Sequence, residues 1–303
     1  MAIYGLDNIN AKENEPLSKH STFHIGGNAK LALFPKNTEE LISCIKYCND
    51  SELRFRIIGN ASNVLFDDKG FDGAIIFTTQ INSIEYIRRK DDTLINVGCG
   101  VSLTMLASEV GKKQSLSGLE FAYGIPGTVG GAVYMNAGAY GGQMSDLVVE
   151  SQYLDLNDMQ IHTISLSEHE YSYRHSMFMD HPEFVIVGTT LKLVTADAEQ
   201  IFNAMHKNIT ARREKHPLEY PNAGSTFKRP ADNIFAGKLI QDAELKGYTV
   251  GDAQISEKHA GFIINRGNAT SADVLGLIEH TRAVVSEKFG ITLECEIIYV
   301  PYN

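Results

Sequence analysis

Residues 121–142 read FAYGIPGTVGGAVYMNAGAYGG, with seven glycines, three tyrosines and no charged residue in 22 positions. Glycine loses more chain entropy on folding than any other residue, so a run this dense marks left-handed turns or something lying directly on the main chain. A second loop, IIGNASNVL at 57–65, follows a strand-like RFRII. Consecutive backbone N–H groups in tight turns make anion-binding concavities, and small residues let a pyrophosphate reach them. Either loop alone is an ordinary turn. The pair, with Asn60, Ser62, Asn63 and Asn136 as uncharged hydrogen-bonding groups, points to a dinucleotide. The chain has no GxxxxGK[ST], and Pro126 with glycines at 124, 127, 130 and 131 does not fit GxGxxG opening a helix. A P-loop and a Rossmann site are both excluded.

The 303 residues suffice for two domains, and 43% hydrophobic with 21% charged residues is globular composition. A net charge of −10 argues against broad nucleic-acid binding. No run approaches 18 apolar residues and the N-terminus has no signal-peptide pattern, so a soluble cytoplasmic protein is expected, ordered except at its ends. Cys44, Cys48, Cys99 and Cys295 are scattered and read as reduced thiols rather than a metal site. His20 and His24, four apart beside Gly26, do not suggest a metal either.

After an irregular start, Asn37 caps a helix over 38–50 with Glu40 three residues on. Strands are expected at 54–58, 74–77, 93–100 and in VVESQYLDL and EFVIVGTTLKLV, with a helix from Ser102 to about Gly111. Ile201, Phe202, Met205 and Ile209 share one face of a helix after Asp197, and a last helix runs from a Ser271 cap to Gly290. The fold class is α+β. The boundary falls near 195, giving a first domain over 1–195 in two lobes (about 1–72 and 73–195) and a smaller one over 196–303.

GIPGTVGGAVYMNAGAYGG resembles the FAD-embracing segment of the UDP-N-acetylenolpyruvoylglucosamine reductases. GNASNVL, YSYRHSMF (171–178), NAGSTFKRP (222–230), ISEKHAGFIINRGNATSADVL and LECEIIYV (293–300) continue that resemblance in order, from about Ser21 to the C-terminus. It implies an FAD-binding fold of the vanillyl-alcohol oxidase and p-cresol methylhydroxylase type, then a domain closing over a UDP-sugar. The implied activity is NADPH-dependent reduction of UDP-N-acetylglucosamine enolpyruvate to UDP-N-acetylmuramate for peptidoglycan. The cofactors it implies are NADPH and non-covalent FAD, the latter held in the first domain. The residues it marks for FAD are Ile58, Gly59, Asn60, Ala61, Ser62, Asn63 and Val64 in one loop. In the other they are Tyr123, Gly124, Ile125, Pro126, Gly127, Thr128, Gly130 and Gly131, with Asn136, Gly138 and Ala139 beyond.

The same resemblance assigns Arg174 and Glu296 to enolate stabilisation, Ser225 to proton donation, and Lys215 and Lys228 to the substrate. Unaided, Arg174 reads as a solvated charge and Ser225 as a turn former. LECEIIYV reads as a terminal strand with Glu294 and Glu296 on one face, either solvated or held for a purpose. Independently of any resemblance, Arg212, Arg213, Lys215, Lys228 and Arg229 form a basic cluster around Ser225, against Glu214 and Glu219, as a diphosphate ligand needs, a solvated helix end being the ordinary alternative for the first three. The chain has GNASN, STFKRP and LECEI where the family commonly has GGGSN, SFFKNP and LEPEV; Asn60, Ala61, Thr226, Arg229 and Cys295 are the departures. Its length resembles the short form of the enzyme, and a monomer is expected. Two rivals stay open: another flavin oxidoreductase of the same fold, or a nucleotide-binding regulator without turnover.

Overall fold

The computed structural model describes Leu6 and residues 9–303. The loose N-terminal end expected from the sequence lies largely outside them. The chain divides into two compact units, one of residues 1–12, 32–60 and 75–212, the other of 13–31, 61–74 and 213–303.

The first unit is built on an antiparallel sheet in the order Gln160–Ser165, Val148–Asp155, Phe184–Thr195, Thr93–Gly98, Ile84–Arg88, with Leu116–Ser117 pairing the far end of Phe184–Thr195. Val185, Val187, Leu191 and Leu193 are buried along its long strand, the alternation a half-buried strand requires. Helix α1 (Thr38–Asp50) starts as its sequence dictates: the Asn37 side chain accepts from the Glu40 amide, and Leu41, Cys44, Ile45 and Cys48 form the buried stripe. Helix α2 (Leu103–Gln114) is capped by Ser102.

The expected end of α2 at Gly111 is wrong. Gly111 sits inside the helix, where a Cβ would lie 2.9 Å from the Met205 Sδ and 3.0 Å from the Ile201 Cγ2, so it permits close packing. Ser115, at φ 54°, ends the helix instead. Helix α3 (Val129–Tyr134) belongs to the glycine-rich segment, and α4 (Ala198–Lys215) carries Ile201 and Met205 inward, with Phe202 exposed.

From residue 10 the segment before α1 is not irregular: Asn10–Pro16 and Asn28–Phe34 are strands in a four-stranded sheet with Phe71–Phe77 and Phe55–Ile58. In the second unit, Phe23, Ile25, Leu65, Phe227, Ile263 and Leu293 join one core with faces of α5 (Ala236–Asp242) and α6 (Ser271–Phe289). Thr270, rather than Ser271, is the N-cap of α6, in a reciprocal arrangement with Asp273, and Gly290 ends it at φ 68°. Ser271 is instead the first helical residue, and the Asp68 carboxylate accepts from its N–H (2.7 Å) and hydroxyl (2.8 Å). That anchor ties 61–74 to a helix 203 residues away. Among the described residues, no helix is long and apolar enough to cross a membrane.

Candidate active site

In the first unit the two expected loops meet. Asn60 donates through its side chain to the Pro126 carbonyl, and a Cβ on Gly59 would lie 2.4 Å from the Thr128 Oγ1. Thr128 caps α3, its hydroxyl accepting from the Gly131 amide. The glycine-rich loop is also stitched to the turn before α2: Leu103 donates to the Gly127 carbonyl, Val129 to Val101 and Gly130 to Cys99. A Cβ on Gly130 would press on Cys99 at 2.8 Å, and one on Gly124, at φ 94°, on the Ile209 Cδ1 at 2.6 Å. Much of the glycine density therefore serves close approach of chain to chain, a use that the composition alone does not distinguish from approach to a ligand.

Some of the loop is left over. Among the described residues, the backbone N–H groups of Gly59, Asn60, Ala61 and Ser62 find no acceptor within the protein. Ala61 adopts φ 45°, a conformation costly for an L-residue with a side chain. A short run of unpartnered amides is a donor set suited to phosphate oxygens, so these residues fit a dinucleotide. Asn136 commits its side chain to the protein: Nδ2 donates to the Ser172 carbonyl and Oδ1 accepts from the Ser145 amide, both at 3.0 Å. Lys112 lies over the Tyr123 ring, 5.0 Å from its centroid.

Arg174 occupies the tip of a two-residue turn closed by reciprocal bonds between Ser172 and His175, with φ 56°. Its Nη2 donates to the Gly138 carbonyl at 3.0 Å, and its guanidinium stands over the Tyr173 ring. The Ser176 hydroxyl, buried, donates to the Tyr134 carbonyl, and Asn136 holds Ser172, so both ends of the turn are tied to the glycine-rich segment. Of the polar letters in YSYRHS, Ser176 carries its tie through the side chain, while Ser172 offers its main-chain carbonyl.

In the second unit Ser225 and Glu296 are brought onto one antiparallel junction. Phe227 bridges Cys295, the Glu296 amide donates to the Thr226 carbonyl (2.9 Å), and the Lys228 amide donates to the Glu294 carbonyl (2.9 Å). The expected terminal strand over 293–300 is shorter: only Ile298–Val300 is a strand, parallel to Val64–Phe66. Glu294 is exposed and Glu296 half-buried, so the two carboxylates do not share an environment. Asn222 shapes the turn before Ser225: its Oδ1 accepts from the Gly224 amide and its Nδ2 donates to the Tyr220 carbonyl, while Gly224 takes φ 76° beside open space.

Two members of the basic cluster are held in ion pairs. Lys228 pairs with Glu294 at 2.5 Å, and Arg229 with Asp232 at 3.2 Å. Lys258, which the sequence did not single out, pairs with Glu219 and donates to the Arg213 carbonyl. Lys215 is exposed at the end of α4. Arg212 lies in the first unit against Gly124, where burial lowers its guanidinium pKa and leaves Nε without an acceptor among the described residues. Burial pushes the thiols of Cys44 and Cys99 up to about 12 and that of Cys48 to about 11, so none is a thiolate nucleophile near neutrality.

Comparison with known proteins bears on this arrangement. Residues 29–165 match the family described as FAD binding domain, and residues 216–300 match the UDP-N-acetylenolpyruvoylglucosamine reductase C-terminal domain. The chain is 47% identical over 300 residues to the UDP-N-acetylenolpyruvoylglucosamine reductase of Caldicellulosiruptor saccharolyticus, covering 98% of this chain and 94% of the relative. It is 45% identical over 285 residues to the protein of that name from Lachnoclostridium phytofermentans, covering 94% and 91%. The crystal structure of the UDP-N-acetylenolpyruvylglucosamine reductase from Thermus caldophilus superposes with a TM-score of 0.79 at 32% identity, over 97% of this chain and 99% of that one. With identity at this level spread over nearly its whole length, the chain belongs to the UDP-N-acetylenolpyruvoylglucosamine reductase family.

Proposed function

We propose that this chain reduces UDP-N-acetylglucosamine enolpyruvate to UDP-N-acetylmuramate for peptidoglycan synthesis, as an FAD-dependent, NADPH-consuming enzyme. Near-full-length identity of 47% to a reductase of that name carries the reading, and the unpartnered loop amides and the Ser225–Glu296 junction support it. Residues 1–195 make the cofactor domain and 196–303 the UDP-sugar domain. The protein works as a cytoplasmic monomer on a small molecule, binding neither nucleic acid nor membrane.

FAD, when bound, supplies a hydride received from NADPH to the methylene carbon of the enol ether. The amides of Gly59 to Ser62 would hold its diphosphate, and the 123–131 loop with Asn136, Gly138 and Ala139 would contact it. Addition of hydride to the methylene carbon leaves an electron pair on the adjacent carbon, delocalised into the carboxylate. Arg174 meets that charge with a forked guanidinium, and Glu296 works with it to orient the carboxylate. Ser225 delivers its proton to the carbon and completes the addition. Lys215 and Lys228 bind the diphosphate of the substrate, Lys228 leaving Glu294 to do so. A hydroxyl is a weak acid in water, so the mechanism needs Ser225 held on its carbon, and the Asn222–Gly224 turn is the device that holds it.

Purified protein should be yellow, release FAD on heating, and oxidise NADPH only when the enolpyruvyl sugar is present. Ser225→Ala should leave flavin reduction by NADPH intact and slow reoxidation by substrate by about 1,000-fold or more, the scale of a lost general acid. A colourless protein that refuses FAD would end the proposal. Equal loss in both half-reactions would remove Ser225 from its role.

A further inference from the structure

We infer that Asn63 is a positioning residue for Glu296, joining the phosphate-binding loop to the acid of the second half-reaction. The inference rests on the reading of Glu296 given above. The expected role of Asn63 was contact with the cofactor, yet its side-chain Nδ2 donates to the Glu296 carbonyl at 2.9 Å, across 233 positions of sequence.

The peptide groups on both sides of the Glu296 Cα are thereby tied. Its N–H donates to the Thr226 carbonyl at 2.9 Å, and its carbonyl accepts from Asn63. Fixing both flanking peptides fixes φ and ψ, and with them the direction of the Cα–Cβ bond along which the carboxylate leaves the chain. Neither anchor is loose. Thr226 is 1% exposed, donates its amide to the Gly261 carbonyl at 2.8 Å, and accepts the Ile263 amide on its hydroxyl at 3.2 Å. The Asn63 carbonyl accepts from the Ile298 amide at 2.9 Å, and Val64 opposite Ile298 begins the parallel pair that follows.

One residue thus grips the chain at positions 296 and 298 while the amides preceding it, from Gly59 to Ser62, are the unpartnered donors of the loop. Thr226 sets Glu296 from the Ser225 side; Asn63 sets it from the loop side. Ordering of the loop by a bound diphosphate and alignment of Glu296 become one event.

The test uses FAD-loaded Asn63→Asp, which keeps the shape and removes the donor, and Asn63→Ala beside it. Flavin content is read from absorbance, and the two half-reactions are followed separately by stopped flow. Both variants should retain stoichiometric FAD and be reduced by NADPH within about 3-fold of wild type, while reoxidation by substrate falls about 30-fold. Glu296→Gln should itself slow reoxidation, and adding Asn63→Asp to it should slow the reaction no further than about 2-fold, because the second change acts through the first. Loss of FAD, equal loss in both half-reactions, or effects that multiply in the double variant would each overturn the inference and leave Glu296 in place. Unimpaired reoxidation in Glu296→Gln would instead overturn the reading of Glu296, and the role of Asn63 with it.

Discussion

Asn136→Ala tests how the Arg174 turn is held. Asn136 is 2% exposed, sits at φ 45°, and bonds the Ser172 carbonyl and the Ser145 amide at 3.0 Å each. Ser172 is exposed and Ser145 half-buried, so water recovers part of each orphaned group, and each lost bond should cost about 1 kcal/mol, the low end of the range. Asparagine tolerates the left-handed region through local hydrogen bonding; alanine does not, which adds about 1 kcal/mol. The sum is about 3 kcal/mol, a large share of the roughly 5–15 kcal/mol that holds a domain folded. Asn136→Gly loses the same two bonds without the left-handed strain and should be about 1 kcal/mol more stable than Asn136→Ala. Urea titrations of the FAD-saturated proteins, read by circular dichroism, measure both. Asn136→Ala within about 0.5 kcal/mol of wild type would refute the hydrogen-bond accounting. Asn136→Gly falling below Asn136→Ala would refute the backbone term.

Gly59→Ala should push its methyl into Thr128, 2.4 Å from the Cβ position, lowering FAD affinity and costing about 1–3 kcal/mol. Adding Thr128→Ala should recover part of that loss by thermal melting, although Thr128→Ala alone costs about 1 kcal/mol as a lost helix cap. His169, fully buried, donates Nδ1–H to the Ser165 carbonyl and accepts from the Ser151 hydroxyl on Nε2, and burial pushes its pKa below the ordinary value despite the opposing pull of Ser165 and Glu168. The unfolded imidazole takes up its proton near pH 6.5 and the folded one only lower, so stability should fall as pH drops below about 6.5, by up to about 1.4 kcal/mol per unit. His169→Gln should remove that slope in urea titrations at pH 7 and 5; an unchanged slope would assign it elsewhere. Asn222→Ala should slow reoxidation of the flavin by substrate about tenfold with reduction by NADPH unaffected, because Gly224 loses its acceptor and the Ser225 turn loosens. Asn222→Asp, which keeps the oxygen, should retain most of the activity.

Features whose causes lie within a few residues were legible. Asn37 caps its helix and the helix expected from Ser102 begins there, and of the expected α4 stripe Ile201 and Met205 are buried while Phe202 is exposed. Gly111 misled for an instructive reason: a glycine that ends a helix and one that admits a neighbouring helix look alike in sequence, and Met205, 94 positions on, decides between them. NAKENEP escaped notice as a strand because its burial barely alternates. LECEIIYV alternates well, yet only its last three residues take a strand partner. Arg174, Ser225 and Glu296 are proposed for the site through resemblance alone. The groups that orient them, such as Asn63 for Glu296, act across as many as 233 positions, which no local pattern encodes.

The three residues have one structural property in common: each is held by its main chain. Arg174 sits in a turn closed on both sides, with a backbone angle of 56° fixed by Ser172, His175 and Asn136. Ser225 follows a turn set by Asn222 and precedes Thr226, which is anchored by its amide and its hydroxyl. Glu296 is tied through both flanking peptides. Stabilising a developing charge requires groups already in place, because reorganising them during reaction would return the advantage. Tying the backbone fixes the direction in which each side chain leaves the chain, and the Arg174 guanidinium is tied further by its Nη2 bond to the Gly138 carbonyl. Thr226 and Cys295 act here through their main chains. Thr226 keeps a backbone bond to Glu296 that any residue with a carbonyl supplies, and Cys295 keeps its bridge to Phe227 through a register that its neighbours Glu294 and Glu296 maintain.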